Sequence, residues 1–573
     1  MMQIKTRTVN ENAYQHLLEA GVAPLLARLY AARGVVNKSE LETSLAGIIP
    51  PEQLTNSAEM AKLLADAIYQ NKKILVIGDY DADGATATAV AVKGLRSMGA
   101  NVDFLVPNRF EYGYGLTPEI VALAAMQNPD ILITVDNGIA SVDGVEAANS
   151  RGLQVLITDH HLPGDITPQA ACIVNPNQHG CKFPSKNLAG VGVMFYLLLA
   201  LRAELRSRNA FENRPEPNLT ELLDLVALGT VADLVKLDAN NRILVEQGLR
   251  RIRSASNPKA ACCAGITALL KIAGKSPEKT TAQDLGFYVG PRLNAAGRLD
   301  DMRLGIACLL AETETDALQK AQTLHELNME RRNIEADMQD SALAALDNIE
   351  VTEQYSLSLY QPDWHQGVIG ILASRLKEKY HRPTLVFADA GQDEKAGRVL
   401  KGSGRSIAGL HLRDALDLVT KQHPKLIIKF GGHAMAAGLS IREADFLAFQ
   451  QAFEAVTRTL LNEADLQAVM ETDGNLSANE ISLQTAQILA AQAWGQGFAQ
   501  PLFYDDFKVI NQRVIGEKHS KLILEKDQKR VDAIYFNCSD DLPETITAVY
   551  AMEANEYRGL QTLQLQLKHI DCI

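Results

Sequence analysis

Three aspartates alternate in Gly78-Asp79-Tyr80-Asp81-Ala82-Asp83-Gly84, directly after the apolar run Lys73-Ile74-Leu75-Val76-Ile77. Asp136 and the triplet Asp159-His160-His161 follow two further apolar runs in the same way. A lone acid at a strand end is usually a solvated turn residue or a helix cap. Several carboxylates packed together are costly unless a cation sits among them. The added imidazoles point to a transition-type divalent ion such as Mn²⁺, with Mg²⁺ as the alternative. Two such ions sharing a carboxylate lower the pKa of a bound water and steady charge developing on phosphate, which is phosphodiesterase chemistry.

Two look-alikes fail. Asp79-x-Asp81-x-Asp83-Gly84 matches the first half of an EF-hand loop, but the glutamate required at the twelfth position falls on Val90. A P-loop needs Gly-Lys-Ser/Thr, which does not follow, and three carboxylates repel phosphate unless a metal intervenes.

Within the constellation, Asp136 is the candidate bridge. Asp81 and Asp83, two residues apart, are expected to share one face of an extended stretch. His160 is the candidate imidazole ligand, and Asp233 closes the site from a helical region. Asp159 orients a neighbouring histidine, and His161 is a candidate substrate contact or proton donor.

The elements that must position these residues alternate. Strand candidates are Ile74–Ile77, Val102–Val106, Ile131–Val135, Val155–Thr158 and Cys172–Val174, with helical stretches such as Thr86–Met98 and Pro118–Met126 between them. This pattern predicts α/β architecture with a doubly wound parallel sheet, whose ligands bind beyond the carboxyl ends of the strands. Residues 312–350 lack Pro and Gly and read as one long connecting helix, or two, of up to roughly 58 Å. A second, smaller α/β region spans about 351–462. After Asn462 short alternating segments favour a small β barrel or sandwich, an OB-like barrel being one option.

The 573 residues suggest three or four domains. With 47% hydrophobic and 22% charged residues, the chain reads as a soluble globular protein. No signal peptide and no membrane span are expected. Seven cysteines, odd in number and without paired zinc spacing, fit a reducing cytoplasm. A net charge of −13 argues on its face against nucleic acid, yet residues 361–440 hold 12 Lys/Arg against 7 Asp/Glu, which leaves room for a local basic groove.

Gly-Asp-Tyr-Asp-Ala-Asp-Gly, Val135-Asp136-Asn137-Gly138, Asp159-His160-His161 and Gly229-Thr230-Val231-Ala232-Asp233 resemble the four motifs of the DHH phosphoesterase superfamily. Phe430-Gly431-Gly432-His433 with Ala436-Ala437-Gly438 is similar to its associated second domain, the DHHA1 domain. Asn294-Ala295-Ala296-Gly297-Arg298, Gln366-Gly367-Val368-Ile369-Gly370 and Trp494-Gly495-Gln496-Gly497-Phe498 resemble its single-stranded-DNA exonuclease branch. The resemblance implies metal ligands at Asp81, Asp83, Asp136, His160 and Asp233, with Asp79, Asp159 and His161 in support. Many relatives place a histidine where this chain has Ile77, and Asp79 is the candidate replacement.

It further implies phosphate binding in the second lobe. There the glycines at 402, 404, 431 and 432 let backbone N–H groups approach an anion, Ser403 lies between the first two, and Arg405 and His433 add charge. Arg109 and Arg298 are candidate phosphate ligands of the first lobe. Basic residues Arg513, Lys518, His519, Lys521, Lys526, Lys529 and Arg530, with Tyr504, Phe507, Tyr535 and Phe536, are candidate contacts of the C-terminal barrel.

The expected domains are a helical segment at 1–50, a DHH catalytic domain at 51–311, the connecting helix at 312–350, a DHHA1-like domain at 351–462 and an OB-like DNA-binding domain at 463–573. The activity implied is 5′→3′ hydrolysis of single-stranded DNA with two Mg²⁺ or Mn²⁺ ions, serving repair and recombination. The implied protein is a cytoplasmic monomer with a single-stranded-DNA-binding protein and a helicase as partners. Two other readings compete. A small-molecule phosphodiesterase would leave the region after Asn462 without a task, and a non-catalytic binding protein would have lost metal ligands.

Overall fold

The computed structural model describes residues 2–108, 112, 115–257, 262–346, 351–393, 397–557 and 560–572. They form two compact units, Thr6–Glu326 with Glu471–Ile573, and Met1–Lys5 with Leu327–Met470.

In the larger unit, β1 (Lys73–Gly78), β2 (Asn101–Leu105), β3 (Ile131–Val135), β4 (Gln154–Thr158) and β5 (Cys172–Val174) make one sheet in the order β2-β1-β3-β4-β5. Every pairing is parallel. The near-continuous apolar runs follow from burial on both faces. Leu75, Ile77, Leu132, Val155 and Ile157 share a core with Ile120, Val121 and Val145 of the helices Pro118–Ala125 and Val142–Ser150. The helices Ala82–Ser97 and Gly190–Ser207 pack on the sheet and on each other. Strand order reverses between β1 and β3, which opens the crevice where doubly wound sheets take ligands.

The first of these helices starts earlier than its sequence pattern suggests. Asp81 is its N-cap, accepting from the amides of Asp83 (2.9 Å) and Gly84 (3.0 Å). Asp81 is therefore extended and Asp83 helical, so the two do not lie along one extended face. The apolar periodicity that marks the helix begins only after the acidic turn, which hides its true start.

The smaller unit holds β6 (Leu357–Tyr360), β7 (Thr384–Asp393), β8 (Gly397–Arg405), β9 (Lys429–Gly432) and β10 (Ala436–Arg442) in the order β9-β10-β8-β7-β6. Only β6 and β7 run parallel. The helix Ile369–Tyr380 shares a core with Leu357, Val386 and Ala388, and the helices Leu412–Gln422 and Phe446–Leu460 share another with Leu385, Phe387 and Leu400. One unbroken helix, Glu314–Leu346, runs from the larger unit into the smaller over 33 residues, about 50 Å.

Past Glu471 the chain closes a five-stranded barrel from β11 (Phe503–Ile515), β12 (His519–Lys526), β13 (Lys529–Tyr535), β14 (Thr545–Tyr557) and β15 (Leu560–Cys572). The barrel, not the sandwich, is adopted: β13 pairs parallel with β15 and all other neighbours are antiparallel. Phe503, Phe507, Leu522, Leu524, Ile546, Tyr550 and Leu565 fill its core, joined by Leu29 of the helix Pro24–Ala31. Among the described residues no helix is long and apolar enough to cross a membrane.

Candidate metal centre

The acidic residues converge where β1, β3 and β4 end. Ligand atoms of Asp79, Asp81 and Asp136 lie within 4.8 Å of one another, as do those of Asp83, His160 and Asp233, and those of Asp136, His160 and His161. His160 Nε2 stands 3.0 Å from Asp136 Oδ1, 3.6 Å from Asp233 Oδ2 and 3.9 Å from Asp83 Oδ2. Asp136 thus belongs to the first and third groups and faces His160 of the second, the placement a bridging carboxylate needs.

Backbone geometry explains how this crowding is held. Asp136 adopts a left-handed φ of 63°, which turns the chain sharply off β3. A Cβ on Gly190 would lie 2.5 Å from that of Asp136, and one on Gly84 would lie 2.6 Å from the Asp79 carbonyl oxygen. Asp83 accepts from the amides of Gly190 (2.6 Å) and Val191 (2.9 Å), at the positive end of the helix Gly190–Ser207. Asp159 accepts from the amides of Ile139, His160 and His161 and takes His161 Nδ1 at 2.8 Å. Asn177 and Asn175 donate to the carbonyls of His160 and His161. Leu234, directly after Asp233, has φ +58° and is 68% exposed. A left-handed leucine costs about 1–2 kcal/mol, so its neighbours must hold it there.

The electrostatics describe a site built around cations. Burial, with the Asp81 charge second, lifts Asp83 to about 7. Burial and neighbouring carboxylates also raise Asp136 and Asp233 well above the usual range. Burial and the adjacent His161 push His160 down to about 4, which keeps its imidazole neutral with a lone pair to give. For His161 burial is the largest influence and lowers the pKa, but the Asp159 hydrogen bond and surrounding acids outweigh it and bring it to about 9. Asp136 Oδ1 and His160 Nε2 are buried and make no hydrogen bond despite their proximity. Orphaned, mutually facing donor atoms among repelling carboxylates fit a pair of divalent ions.

Arg298 lies in the last turn of the helix Gly290–Leu299, which also packs against the acidic loop: Asn294 Oδ1 accepts from the Ala82 amide at 2.8 Å, and a Cβ on Gly297 would meet the Tyr80 carbonyl oxygen at 1.9 Å. Arg109 lies outside the described residues. In the smaller unit, Ser403 and Arg405 lie on β8 opposite Gly438 and Ala436 of β10, while Gly432 ends β9 and His433 follows it, its amide bonded to the Ala436 carbonyl. A Cβ on Gly370 would stand 2.9 Å from Ser403 Oγ and 3.2 Å from an Arg405 guanidinium nitrogen. The N-terminus of the helix Ile369–Tyr380 therefore abuts this pair, an anion-binding arrangement.

Sequence reasoning singled out neither the Gly190 and Val191 amides, nor Asn294, nor Gly370 as a contact. The Gly-Val-Gly opening of an apolar helix at 190–192 was the available signal. On the barrel, Phe507 is core and Lys526 pairs with Asp505, so neither is available to a strand, whereas Phe536 is 43% exposed.

The fold is that of the DHH family. Its N-terminal domain model matches residues 73–230, a DHHA1 domain model matches 352–459 and a RecJ OB domain model matches 472–569. The chain is 48% identical to the single-stranded-DNA-specific exonucleases RecJ of Salmonella typhimurium and Escherichia coli, over 99% of each chain in both cases. It superposes on the crystal structure of Thermus thermophilus RecJ in complex with Mn²⁺ with a TM-score of 0.81 at 29% identity, covering 99% of this chain and 79% of that one. The chain belongs to the RecJ family.

Proposed function

We propose that the protein is an exonuclease that hydrolyses phosphodiester bonds of single-stranded DNA from the 5′ end with two Mg²⁺ or Mn²⁺ ions. The observation that carries this reading is the pair of adjoining triads, Asp79-Asp81-Asp136 and Asp83-His160-Asp233, at the switch point of a parallel sheet. The RecJ structures of Thermus thermophilus in complex with Mn²⁺ and Mg²⁺ support the choice of ions.

Bound there, divalent ions activate water and neutralise charge on the reacting phosphate. The protein's own residues do the rest. Asp136, which lies with Asp79 and Asp81 and also faces His160, would be the ligand common to both ions. Neutral His160 offers Nε2. Asp159 fixes Nδ1 of His161, so the second ring nitrogen is left to donate to a phosphate oxygen or to the departing sugar oxygen. Ser403, Arg405, Gly432, His433 and the amides at Gly370 take backbone phosphate, and Arg298 does so beside the acidic loop. The barrel binds single strands, with Phe536 as a stacking surface. The same reading gives a cytoplasmic monomer acting in repair and recombination, alongside a single-stranded-DNA-binding protein and a helicase.

The test is parallel digestion of 5′-labelled single strands, blunt duplexes and dinucleotides with Mn²⁺, Mg²⁺ or chelator. Release of the label as mononucleotide from long single strands, abolished by chelator, is expected. Turnover of dinucleotides alone would replace this reading with a small-molecule phosphodiesterase.

A further inference from the structure

The segment Trp494-Gly495-Gln496-Gly497-Phe498 lies far along the chain from any acidic ligand, yet it grips the loop that follows Asp233. The Gln496 carbonyl accepts from the Leu237 amide at 2.8 Å. A Cβ on Gly495 would come 2.6 Å from Leu237 Cδ1, and one on Gly497, whose φ is +68°, would come 2.5 Å from Lys236 Cγ. Gly495 and Phe498 close the turn with two backbone hydrogen bonds of 3.0 and 3.1 Å.

The turn is itself anchored. Trp494 stacks on Phe498 with centroids 5.3 Å apart, and Tyr30 lies 6.0 Å from each ring. Arg242 lies over Phe498 at 4.4 Å and donates to the Leu237 carbonyl at 3.1 Å. Arg33 lies over Trp494 at 5.1 Å, donates to the Ala499 carbonyl and pairs bidentately with buried Asp473 at 2.8 and 2.9 Å. Five residues before the barrel thus join an N-terminal helix, the loop after Asp233 and the barrel's approach. Between Asp233 and this grip stands Leu234, in a conformation that leucine abandons unless both sides are fixed.

We propose that the Trp494–Phe498 turn is a positioning element of the metal centre, holding the Leu234–Leu237 loop so that the Asp233 carboxylate stays in the triad with Asp83 and His160. The inference rests on the reading of Asp233 as a ligand. It makes the ion affinity of the site depend on a segment outside the catalytic sheet.

The test is Mn²⁺ binding to the full-length protein, followed by electron paramagnetic resonance of the free ion, with melting temperature measured in parallel. Gly495→Ala should weaken Mn²⁺ binding by roughly tenfold, within the range seen when supports of metal ligands are lost. Turnover at saturating Mn²⁺ should recover. Adding Leu237→Ala, which removes the clashing side chain but keeps the amide, should restore affinity even as it lowers the melting temperature. Gly497→Ala serves if Gly495→Ala does not fold. Wild-type affinity in a folded glycine variant, or a double variant no better than the single, overturns the proposal. Asp233→Ala separates the two layers. If it too binds Mn²⁺ normally, the ligand assignment falls and takes the proposal with it. If it loses binding while the glycine variants do not, only the turn's role falls.

Discussion

The two open five-stranded sheets of this molecule gather functional groups in opposite ways. In the parallel sheet, crossover helices separate β1, β3 and β4, so Asp79 and His160 both come close to Asp136 at strand ends although about eighty residues lie between them. In the mixed sheet, Ser403 and Arg405 on β8 and Gly432 at the end of β9, followed by His433, flank the single strand β10, to which both strands are antiparallel, and are aligned by its register. The first arrangement concentrates negative charge at a crevice. The second leaves small residues, one guanidinium and a helix N-terminus. A strand end can bring side chains into a common focus, whereas strand interiors offer a flat face to which glycine admits a close-lying chain.

If the sheets divide the work along these lines, variants should separate chemistry from grip. Asp136→Ala should reduce hydrolysis to the assay floor while leaving DNA binding in chelator intact, because the shared carboxylate positions both ions. Near-normal turnover with saturating Mn²⁺ would break the assignment. His160→Ala should be comparably severe. Asp159→Asn should cost roughly 10- to 100-fold in turnover, since it frees the His161 ring and loosens its amides without removing a triad atom.

The crowding itself is testable without substrate. Burial and the charges of Asp83 and Asp81 disfavour an ionised Asp136, so Asp136→Asn should raise the melting temperature of metal-free protein. The same change should remove the stabilisation by Mn²⁺, about 2.7 kcal/mol per site at a hundredfold excess over Kd. A lower metal-free melting temperature would show the acids to be held mainly by their hydrogen bonds.

On the second sheet the expected effects are smaller. Arg405→Ala should weaken binding several-fold and reduce the slope of log affinity against log salt by roughly 0.7, one phosphate contact on a single strand. An unchanged slope would mean that Arg405 does not touch the backbone. Gly370→Ala should act in the same direction and more weakly, as its methyl group presses on Ser403 Oγ rather than removing a charge.

Much of the parallel sheet was legible because burial on both faces writes itself as unbroken runs such as Ile131–Val135. The acidic cluster was legible for the related reason that strand ends in such sheets converge. What sequence concealed was local and three-dimensional. Nothing in Gly190 reports that Asp136 lies against it, and nothing in Leu234 announces a positive φ. β14 mixes Thr, Glu and Asn among its apolar residues, so its pairing with β11 and β15 shows only once the barrel closes. Phe507 reads as well for a stacking aromatic as for core, and only its 1% exposure decides.

The order in which the chain is made gives the grip on the Asp233 loop a temporal meaning. Residues Leu327–Met470 belong, with Met1–Lys5, to the smaller compact unit and interrupt the larger one, whose stretch Glu471–Ile573 is translated after them. All the acidic triads are translated before residue 240, but the Trp494–Phe498 turn follows some 260 residues later. At roughly 5–20 residues per second, that delay is on the order of tens of seconds. On the proposed role of the turn, a nascent chain would therefore carry its carboxylates long before the Asp233 loop could be held among them.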